Sequence, residues 1–285
     1  MIWLIYAHKS NEIEYIYNQH HPIEKISMYD VSVIVDRDDI NIKINGEKKE
    51  YPDACIFKVG TINAKITEYA ISILEVLEHH NVKLLNSSHV TRMLSSKFNN
   101  AIFLRKNNIP TPDTVLFEKF HIPEVQYPII LKMNQGSHGK GVMIVNDKLQ
   151  LEDIMNLHTY TSIKYMDSYV LQEYVKNSHG RDIRVMVVGD EILGCMLRKN
   201  DRLQSNANLG GIGYYYECDD TIRKIVNDIK TALPNLNYAG IDLLITNDPN
   251  VPYLVSEINV NPGFTEFQKI HPSINVAEKI ISFLL

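Results

Sequence analysis

Cysteine is scarce in this chain: three residues, Cys55, Cys195 and Cys218, stand far apart among 285 positions. There is no CxxC pair and no metal-ligand spacing of cysteines, which argues against a disulfide framework and against a zinc site. So few unpaired cysteines are typical of a reducing compartment, and we expect a cytoplasmic protein.

A surplus of positive charge and a long apolar run are also absent. The 29 Lys and Arg residues are outnumbered by 34 Asp and Glu residues, which leaves a net charge of −5, whereas a dedicated nucleic-acid binder normally carries a basic surplus. No stretch approaches the roughly 20 apolar residues of a membrane span. The apolar start, residues 1–7, is short and follows no basic segment, so it predicts a buried strand rather than a signal peptide. Neither nucleic acid nor a membrane is therefore an expected partner.

The composition that remains is that of a soluble globular protein, with 45% hydrophobic and 22% charged residues. The length suggests two or three domains. Strand-like and helix-like runs alternate without repeats, which predicts an α/β protein.

The pattern predicts three units. Residues 1–90 form an open-sheet unit with strands at 2–7, 30–36, 54–60 and 82–85, a hairpin at 40–51 around Asn45-Gly46, and a helix at 64–80. Residues 91–175 contain a helix from about 97 to 107, ended by a proline-containing run, strands at 128–132, 141–146 and 168–175, and a helix at 149–157. Residues 176–285 contain two strands within 181–199 joined at Gly189-Asp190, strands at 239–246 and 253–260, and helices at 220–233 and 275–285.

The last predicted strand pair carries the most specific motif. Glu257 and Asn259 are two residues apart on a strand, so their side chains share a face. If the hairpin is symmetric about residues 249–250, Asp242 lies opposite Glu257 on that face. Three oxygen ligands in an apolar context would suit Mg²⁺ with nucleotide phosphates. The alternative is the solvent-facing side of an edge hairpin.

A lysine and a glycine-rich loop are candidates for phosphate binding. Lys132 ends a predicted strand and supplies a point charge, and the loop 134–141 follows it. Glycines let backbone N–H groups approach phosphate oxygens, although this is not the P-loop pattern, because the lysine precedes the glycines. The alternative is a flexible hairpin tip, at which His138 and Lys140 are solvated. The loop residues proposed to bind phosphate are Gly136, Ser137, Gly139 and Gly141.

A second lysine, Lys97, lies in the first turn of its predicted helix, after the possible caps Ser95 and Ser96. A cation there opposes the helix dipole, and a bound anion would resolve the mismatch. The alternative is an exposed lysine.

Other polar residues lie on the predicted strands between these motifs. The strand 168–175 can offer backbone groups to a purine edge, but by itself it is only a strand. Asp182 and Arg184 share a face, and Arg198 is on the adjacent strand. An arginine there can grip a carboxylate or phosphate in bidentate fashion; a surface Asp–Arg pair is the alternative. The segment from Asn206 to Gly211 is a second backbone cradle or a polar loop.

With these residues in view, the chain resembles the ATP-grasp superfamily, and within it the RimK-type branch of alpha-L-glutamate ligases. The resemblance runs in order and spacing through KVGTINAKITEYAISILEVLEHHNVKLLNSSHVTRMLSSK, LQEYV, GRDIRVMVVGDEILGCMLR, SNANLGG and GIDLL…EINVNPG. It implies an α/β fold with an N-terminal open-sheet domain, a small lid domain and a C-terminal domain, and with ATP held between the lid and C-terminal sheets.

The resemblance also implies roles for single residues. Lys97 and Lys132 match two phosphate-contacting lysines, and Arg184 matches the arginine of a DxR motif. The adenine hinge corresponds to Gln172, Glu173, Tyr174 and Val175; the metal ligands to Asp242, Glu257 and Asn259; the catalytic set to Arg184, Arg198 and Asn206, with Asp182 near the nucleotide. The implied cofactors are ATP and Mg²⁺, with Mn²⁺ as an alternative.

Two segments depart from the branch. Lys58-Val59-Gly60 stands where R-x-G is common, and the loop between Arg198 and Asn206 is shortened. Both lie where an acceptor substrate could bind.

The implied reaction is a ligation. ATP phosphorylates a carboxylate, and an amine then attacks the acyl phosphate. The expected activity adds glutamate or a similar amino acid to a carboxylate of a peptide, protein or small molecule. A related branch instead forms side-chain ester or amide crosslinks in a precursor peptide, and a nucleotide-binding regulator without catalysis is a further alternative. The oligomeric state, including a homo-oligomer, stays open.

Overall fold

A computed structural model of the chain describes residues 1–59, 64–118, 121–136, 141–161, 168–203, 205 and 210–285. Within these residues the strands form three larger sheets and one small sheet. None of the helices in this part of the chain combines the length and the apolar character that crossing a bilayer requires.

The first sheet is parallel, with the strand order β2-β1-β6-β7. Its elements are β1 (Ile2–Tyr6), α1 (Asn11–Tyr17), β2 (Ile23–Ser27), β6 (Ala54–Lys58), α2 (Ala64–His79) and β7 (Lys83–Leu85). Strand β2 and helix α1 are absent from the sequence prediction. The helix has only seven residues, and Ile26 is the one fully buried residue of β2, so neither presents a long periodic pattern.

The small antiparallel sheet contains the predicted hairpin. It consists of β3 (Val31–Val35), β4 (Ile40–Ile44) and β5 (Glu47–Lys48). Asn45 and Gly46 have φ angles of 52° and 82°, the left-handed conformation that a type I′ turn requires at both central positions. The hairpin prediction is confirmed.

The second sheet is antiparallel, in the order β10-β9-β11-β8. It contains β8 (Thr114–Glu118), β9 (Ile129–Met133), β10 (Val142–Val145) and β11 (Ser168–Glu173), with α5 at Lys148–Thr161. Leu151 and Met155 of α5 pack into one core with Leu131 and Leu171 of the sheet. Strand β8 is absent from the prediction, and β11 ends at Glu173 rather than at residue 175.

The third sheet has five antiparallel strands in the order β14-β13-β12-β15-β16. The strands are β12 (Arg181–Val188), β13 (Glu191–Lys199), β14 (Ile212–Tyr216), β15 (Tyr238–Ile245) and β16 (Tyr253–Asn259). The helices around it are α3 (Ser88–Met93), α4 (Lys97–Lys106), α6 (Asp220–Ala232), α7 (Thr265–Ile270) and α8 (Val276–Leu284).

The two faces of β12 have different environments. Ile183 and Val185 lie in the core that α3, α4 and α6 form on one face of the sheet. On the other face, Met186 packs in a core with α7, α8 and the first sheet. Alternation along the strand puts Asp182 and Arg184 on this second face, ahead of Met186. The polar part of that face, at the start of β12, is where the candidate site lies.

The division at residues 90 and 175 stays a prediction. Within the described residues, Phe103 and Leu104 of α4 share a core with the third sheet. Ile2 and Ile56 of the first sheet share a core with Met186 of the third. The third sheet is therefore packed on both faces by segments from the first half of the chain.

Candidate active site

Four charged side chains form a row across three strands of the third sheet. Asp182 on β12 is opposite Arg198 on β13, and Arg184 on β12 is opposite Asp242 on β15. All four residues are buried, with 4–8% of their surface exposed. The alternative of a surface Asp–Arg pair is therefore wrong. We call Arg198, Asp182, Arg184 and Asp242 the charged row.

Hydrogen bonds link all four members of the charged row. Arg184 grips Asp242 with Nε to Oδ1 and Nη2 to Oδ2, both at 2.7 Å. Arg198 donates from Nε and Nη2 to the two carboxylate oxygens of Asp182, and its Nη2 is also 2.9 Å from Oδ2 of Asp242. Ser205 Oγ donates to Oδ1 of Asp182 at 2.7 Å. Sequence reasoning missed Ser205, although it directly precedes Asn206 in the motif SNANLGG.

Two members of the charged row, Asp242 and Arg198, stay ionised despite their burial. Burial by itself favours the protonated form of Asp242, but the adjacent Arg184 and Arg198 guanidinium groups outweigh it and hold the pKa of that carboxyl below its ordinary value. In the same way Asp182 and Asp242 overcome the effect of burial on Arg198 and raise its pKa.

The Asp242→Asn variant should be markedly less stable. It removes the counter-charge that Arg184 binds in a buried position, and breaking a buried ion pair from one side costs about 3–5 kcal/mol. The measurement is the free energy of unfolding from denaturant titration at neutral pH. Asp190→Asn is the matched control, because Asp190 is fully exposed in its ion pair with Lys230. Equal stability of the two variants would contradict a structural role for the charged row.

Of the three predicted metal ligands, Asp242 belongs to the charged row, and Glu257 and Asn259 lie on the adjacent strand β16. Asp242 pairs with Glu257, and Gly240 pairs with Asn259, so the pairing predicted for Asp242 and Glu257 is confirmed. The register of the two strands nevertheless differs from that of a symmetric hairpin. Nearer the turn the register is shifted by one residue, and an irregularity at Ser256 restores the predicted pairing.

The three oxygen donors differ in availability. The Glu257 carboxylate makes no hydrogen bond or ion pair with any residue in the described part of the chain. Asn259 Oδ1 accepts one bond, from the Asn261 N–H at 2.9 Å. The Asp242 carboxylate accepts three N–H groups from arginines, out of about four lone-pair positions. The donor set fits Mg²⁺, which takes oxygen ligands, and Glu257 is the member that bonds to no described residue.

Lys132 reaches this site from the second sheet. Its Nζ donates to Gln172 Oε1 at 2.5 Å. The pKa of Lys132 is lowered to about 8, chiefly by burial and also by the neighbouring Lys97, while Glu257 and Asp242 act in the opposite direction. The carboxylates that act on this pKa, Glu257, Asp242 and Asp182, lie on the third sheet, so Lys132 lies within electrostatic range of the candidate metal ligands.

Lys97 is the first residue of α4, as the sequence predicts. Its Nζ donates to the Gly136 carbonyl at 3.0 Å, which ties it to the start of the glycine-rich loop. The N–H groups of Lys97 and Phe98 donate to Asn134, and Ser96 accepts the N–H of Asn99. The helix N-terminus is thus already capped by the protein, so an anion would contact Lys97 through Nζ.

The residues predicted to form the adenine hinge differ in their contacts. Gln172 is buried, and its side chain joins Lys132 to Thr114. The Glu173 N–H donates to the Asp113 carbonyl at 2.8 Å, and Tyr174 and Val175 follow the end of β11. Gln172 therefore also orients Lys132, a link that sequence reasoning missed.

The structure describes only the two ends of the predicted phosphate-binding loop. Gly136 and Gly141 have φ angles of 140° and 70°, a backbone conformation that L side chains rarely adopt. Gly60, Ser137, His138, Gly139, Lys140 and Asn206 lie outside the described residues.

Lys58, which departs from the branch pattern, lies at the junction of the first and third sheets. Its side chain is 6% exposed and 3.4 Å from Glu12 Oε2. Nζ also donates to the Pro262 carbonyl at 3.0 Å, and Glu12 accepts the N–H of Phe264. Lys58 thus holds the segment that follows the metal-ligand strand β16.

The RimK-like ATP-grasp domain family matches residues 94–284. The chain belongs to this family. That match includes α4, the second and third sheets, and therefore every described residue of the candidate site.

Two relatives show how similar this chain is in sequence to named proteins. Beta-citrylglutamate synthase B of Homo sapiens is 31% identical over 255 residues, which cover 86% of this chain and 64% of the relative. A probable alpha-L-glutamate ligase of Legionella pneumophila (strain Corby) is 30% identical over 242 residues, 81% of this chain and 76% of the relative. The chain thus spans less than two thirds of the first relative's length.

Solved structures agree in fold. A RimK domain ATP-grasp protein from Sphaerobacter thermophilus DSM 20745 superposes with a TM-score of 0.71 at 17% identity, over 100% of this chain and 99% of that one. The ATP-grasp ligase PsnB, in complex with a phosphomimetic variant of its minimal precursor, Mg and ADP, gives 0.68 at 14% identity, over 100% and 98%. The predicted α/β ATP-grasp fold is confirmed.

Proposed function

We propose that this RimK-like chain is an ATP-dependent ligase that joins a carboxylate to an amine through an acyl phosphate. The observation that carries the proposal is the convergence of Lys132 and Glu257 beside the charged row. A cation of the second sheet thus lies within electrostatic range of oxygen donors of the third, as phosphoryl transfer needs, since it depends on positioning and charge neutralisation.

Each group has a distinct proposed role. Lys97 and Lys132 hold nucleotide phosphates, with Gln172 orienting Lys132. Glu257, Asn259 and the remaining lone pair of Asp242 would hold Mg²⁺, with Mn²⁺ as an alternative, and the ion would neutralise phosphate charge. Asp242 in turn holds the guanidinium group of Arg184 in place.

Arg184 is proposed to bind the oxygens of the acyl phosphate and of the tetrahedral intermediate. Two of its five N–H groups donate to Asp242, and the other three bond to no residue that the structure describes, so we propose that they serve the substrate. Arg198 is 4% exposed and has its bonds within the charged row, so we propose that it positions Asp182 and Asp242 rather than contacting substrate. Asn206 keeps its proposed catalytic role.

The proposed amine is glutamate or a similar amino acid, and the proposed acceptor is a carboxylate of a small molecule, peptide or protein. The names of the relatives support this, because each describes a ligation of glutamate. The PsnB complex supports a peptide acceptor as the second possibility. We propose the three-domain division at residues 90 and 175, with the second sheet as lid over the nucleotide.

The test is ADP release with ATP, Mg²⁺ and a panel of amino acids, di- and tricarboxylates and acidic peptides, followed by mass spectrometry. We expect ADP release with glutamate and a carboxylate, and a product whose mass is the sum of the two less one water. A peptide that loses water without gaining an amino acid would indicate crosslinking instead. ADP release by no mixture would refute the ligase proposal and favour a regulator.

Glu257→Gln should abolish the ADP release, because it removes the one anionic donor that has no partner among the described residues. Glu266→Gln is the matched control, since Glu266 is partly exposed and pairs with Lys269 at the surface. Mg²⁺-dependent turnover that survives Glu257→Gln would contradict the metal assignment.

A further inference from the structure

We propose that the end of helix α2 and the loop before strand β4 bind a transition-metal ion of the zinc class, at a site separate from the nucleotide site. One ring nitrogen each from His79 and His80 and one carboxylate oxygen of Asp39 lie within 4.8 Å of one another. Imidazole nitrogen and carboxylate oxygen are both zinc ligands, and a water completes the tetrahedron around three protein ligands. The sequence argument against zinc considered cysteine spacing, and it does not apply to this donor set.

Contacts with the Ile40 carbonyl and with Tyr51 hold the ring of His80 in place. Its Nε2 is 2.6 Å from the Ile40 carbonyl, so Nε2 carries the proton and Nδ1 keeps its lone pair. A metal-binding histidine usually donates its other N–H to a carbonyl or carboxylate in this way. Tyr51 stacks on the His80 ring with 3.9 Å between centroids, and the Tyr51 hydroxyl accepts the Ile42 N–H at 2.9 Å. The ring orientation is therefore set before any ion arrives.

The carboxylate of Asp39 already faces the second histidine. Its Oδ1 is 3.3 Å from His79 Nε2 and accepts the Ile40 N–H at 2.8 Å. An ion would replace one weak contact between Asp39 and His79 with two coordinate bonds, and it would leave the backbone bond to Ile40 in place.

A buried, unpartnered acceptor lies in the same place. Asn41 is 8% exposed, and its Oδ1 has no hydrogen-bond partner among the residues that the structure describes. Asn41, Asp39 and His80 line one open cavity of about 490 Å³. A buried acceptor without a donor is unfavourable. A polar side chain therefore borders the cavity beside two of the three proposed ligands.

The other charges at the cavity do not prevent cation binding. Lys48 and Lys49 line it together with Glu50, but Lys49 is paired with Glu24. The described parts of the chain contain no other three His, Cys, Asp or Glu side chains that come this close together. An ion here would tie the loop before β4 to the end of α2.

The experiment is calorimetric titration of the full chain with Zn²⁺ in excess Mg²⁺, which occupies the oxygen-only donors near Glu257. We expect one bound equivalent of Zn²⁺ and a raised melting temperature. His79→Gln and Asp39→Asn should each weaken binding about tenfold or more. Both side chains are substantially exposed, so these variants keep the fold even if a change at the stacked His80 does not.

The matched control is the double variant His20→Gln, His21→Gln. It removes another consecutive histidine pair, whose nearest acid is a single glutamate, Glu278, at 3.5 Å from His21. Zn²⁺ affinity should be unchanged in this control. Absence of a bound equivalent in the parent chain, full Zn²⁺ affinity in His79→Gln, or a loss of affinity in the control would each overturn the proposal. Because the readout is metal binding, its failure would leave the ligase proposal unaffected.

Discussion

Replacing Arg184 with alanine should reduce turnover about 10²–10³-fold, as expected when one donor to a developing oxyanion is removed. The affinity for ATP should change little. The reason is geometric: Asp242 holds the guanidinium through two bonds of 2.7 Å, and the remaining N–H groups are available to a reacting substrate. The measurement is ADP release at saturating substrate, combined with nucleotide affinity by calorimetry.

Two comparisons separate catalysis from stability in this experiment. Arg181→Ala removes an exposed arginine from the same strand, and its turnover should match that of the parent chain. Arg184→Lys keeps the charge but loses the planar fork, so its turnover should fall between the two. The melting temperature would show whether the Arg184→Ala variant is folded. Unchanged product formation by the folded variant would remove Arg184 from the mechanism.

The second large effect is a pH dependence of ATP binding set by Lys132. Its pKa is lowered from 10.5 to about 8, first by burial, so the side chain is charged below pH 8 and neutral above it. Phosphate binding requires the charged form. The dissociation constant for ATP should therefore rise roughly fivefold between pH 8 and pH 9, as the protonated fraction falls. Binding should be measured directly by calorimetry, because deprotonation of the amine substrate would raise turnover over the same range.

Lys132→Arg is the decisive variant for this prediction. Arginine stays charged throughout the range, so the alkaline loss of affinity should disappear, even if the absolute affinity is lower because the contact with Gln172 changes. An alkaline loss of the same size in Lys132→Arg would show that another group titrates.

The effect of pH on stability through Lys132 is opposite to that through a lysine whose pKa is raised by an ion pair. A folded-state pKa below the unfolded value means that the unfolded chain binds more protons between pH 8 and pH 10.5. Stability from this group therefore rises with pH in that window. The positive charge that we propose for ATP binding is thus held at some cost to the unliganded fold, a cost that bound phosphates would relieve.

The local features of the site follow from the sequence by short-range rules. Period-two alternation places Glu257 and Asn259 on one face of a strand. The serine before Lys97 caps a helix that begins where predicted. Asn45-Gly46 specifies a type I′ turn, because few other residue pairs adopt φ above zero at both positions. Each rule involves residues within a few positions of one another, so one chain segment contains the information.

The arrangement of the site depends on which strands become neighbours. Nothing in the alternation of β12 states that β15 lies beside it, yet that pairing converts Arg184 and Asp242 from separate candidates into one buried ion pair. The contact of Lys132 with Gln172 and the capping of α4 by Asn134 likewise join segments about 40 residues apart.

The sequence by itself determined the residue types, their faces and the family they resemble. Only the tertiary structure decided that arginines occupy most of the Asp242 carboxylate, that Glu257 bonds to no described residue and that Lys58 fastens two sheets together. The physical reason is that charge pairing and burial depend on distances across the fold, which core packing sets and which local spacing does not encode.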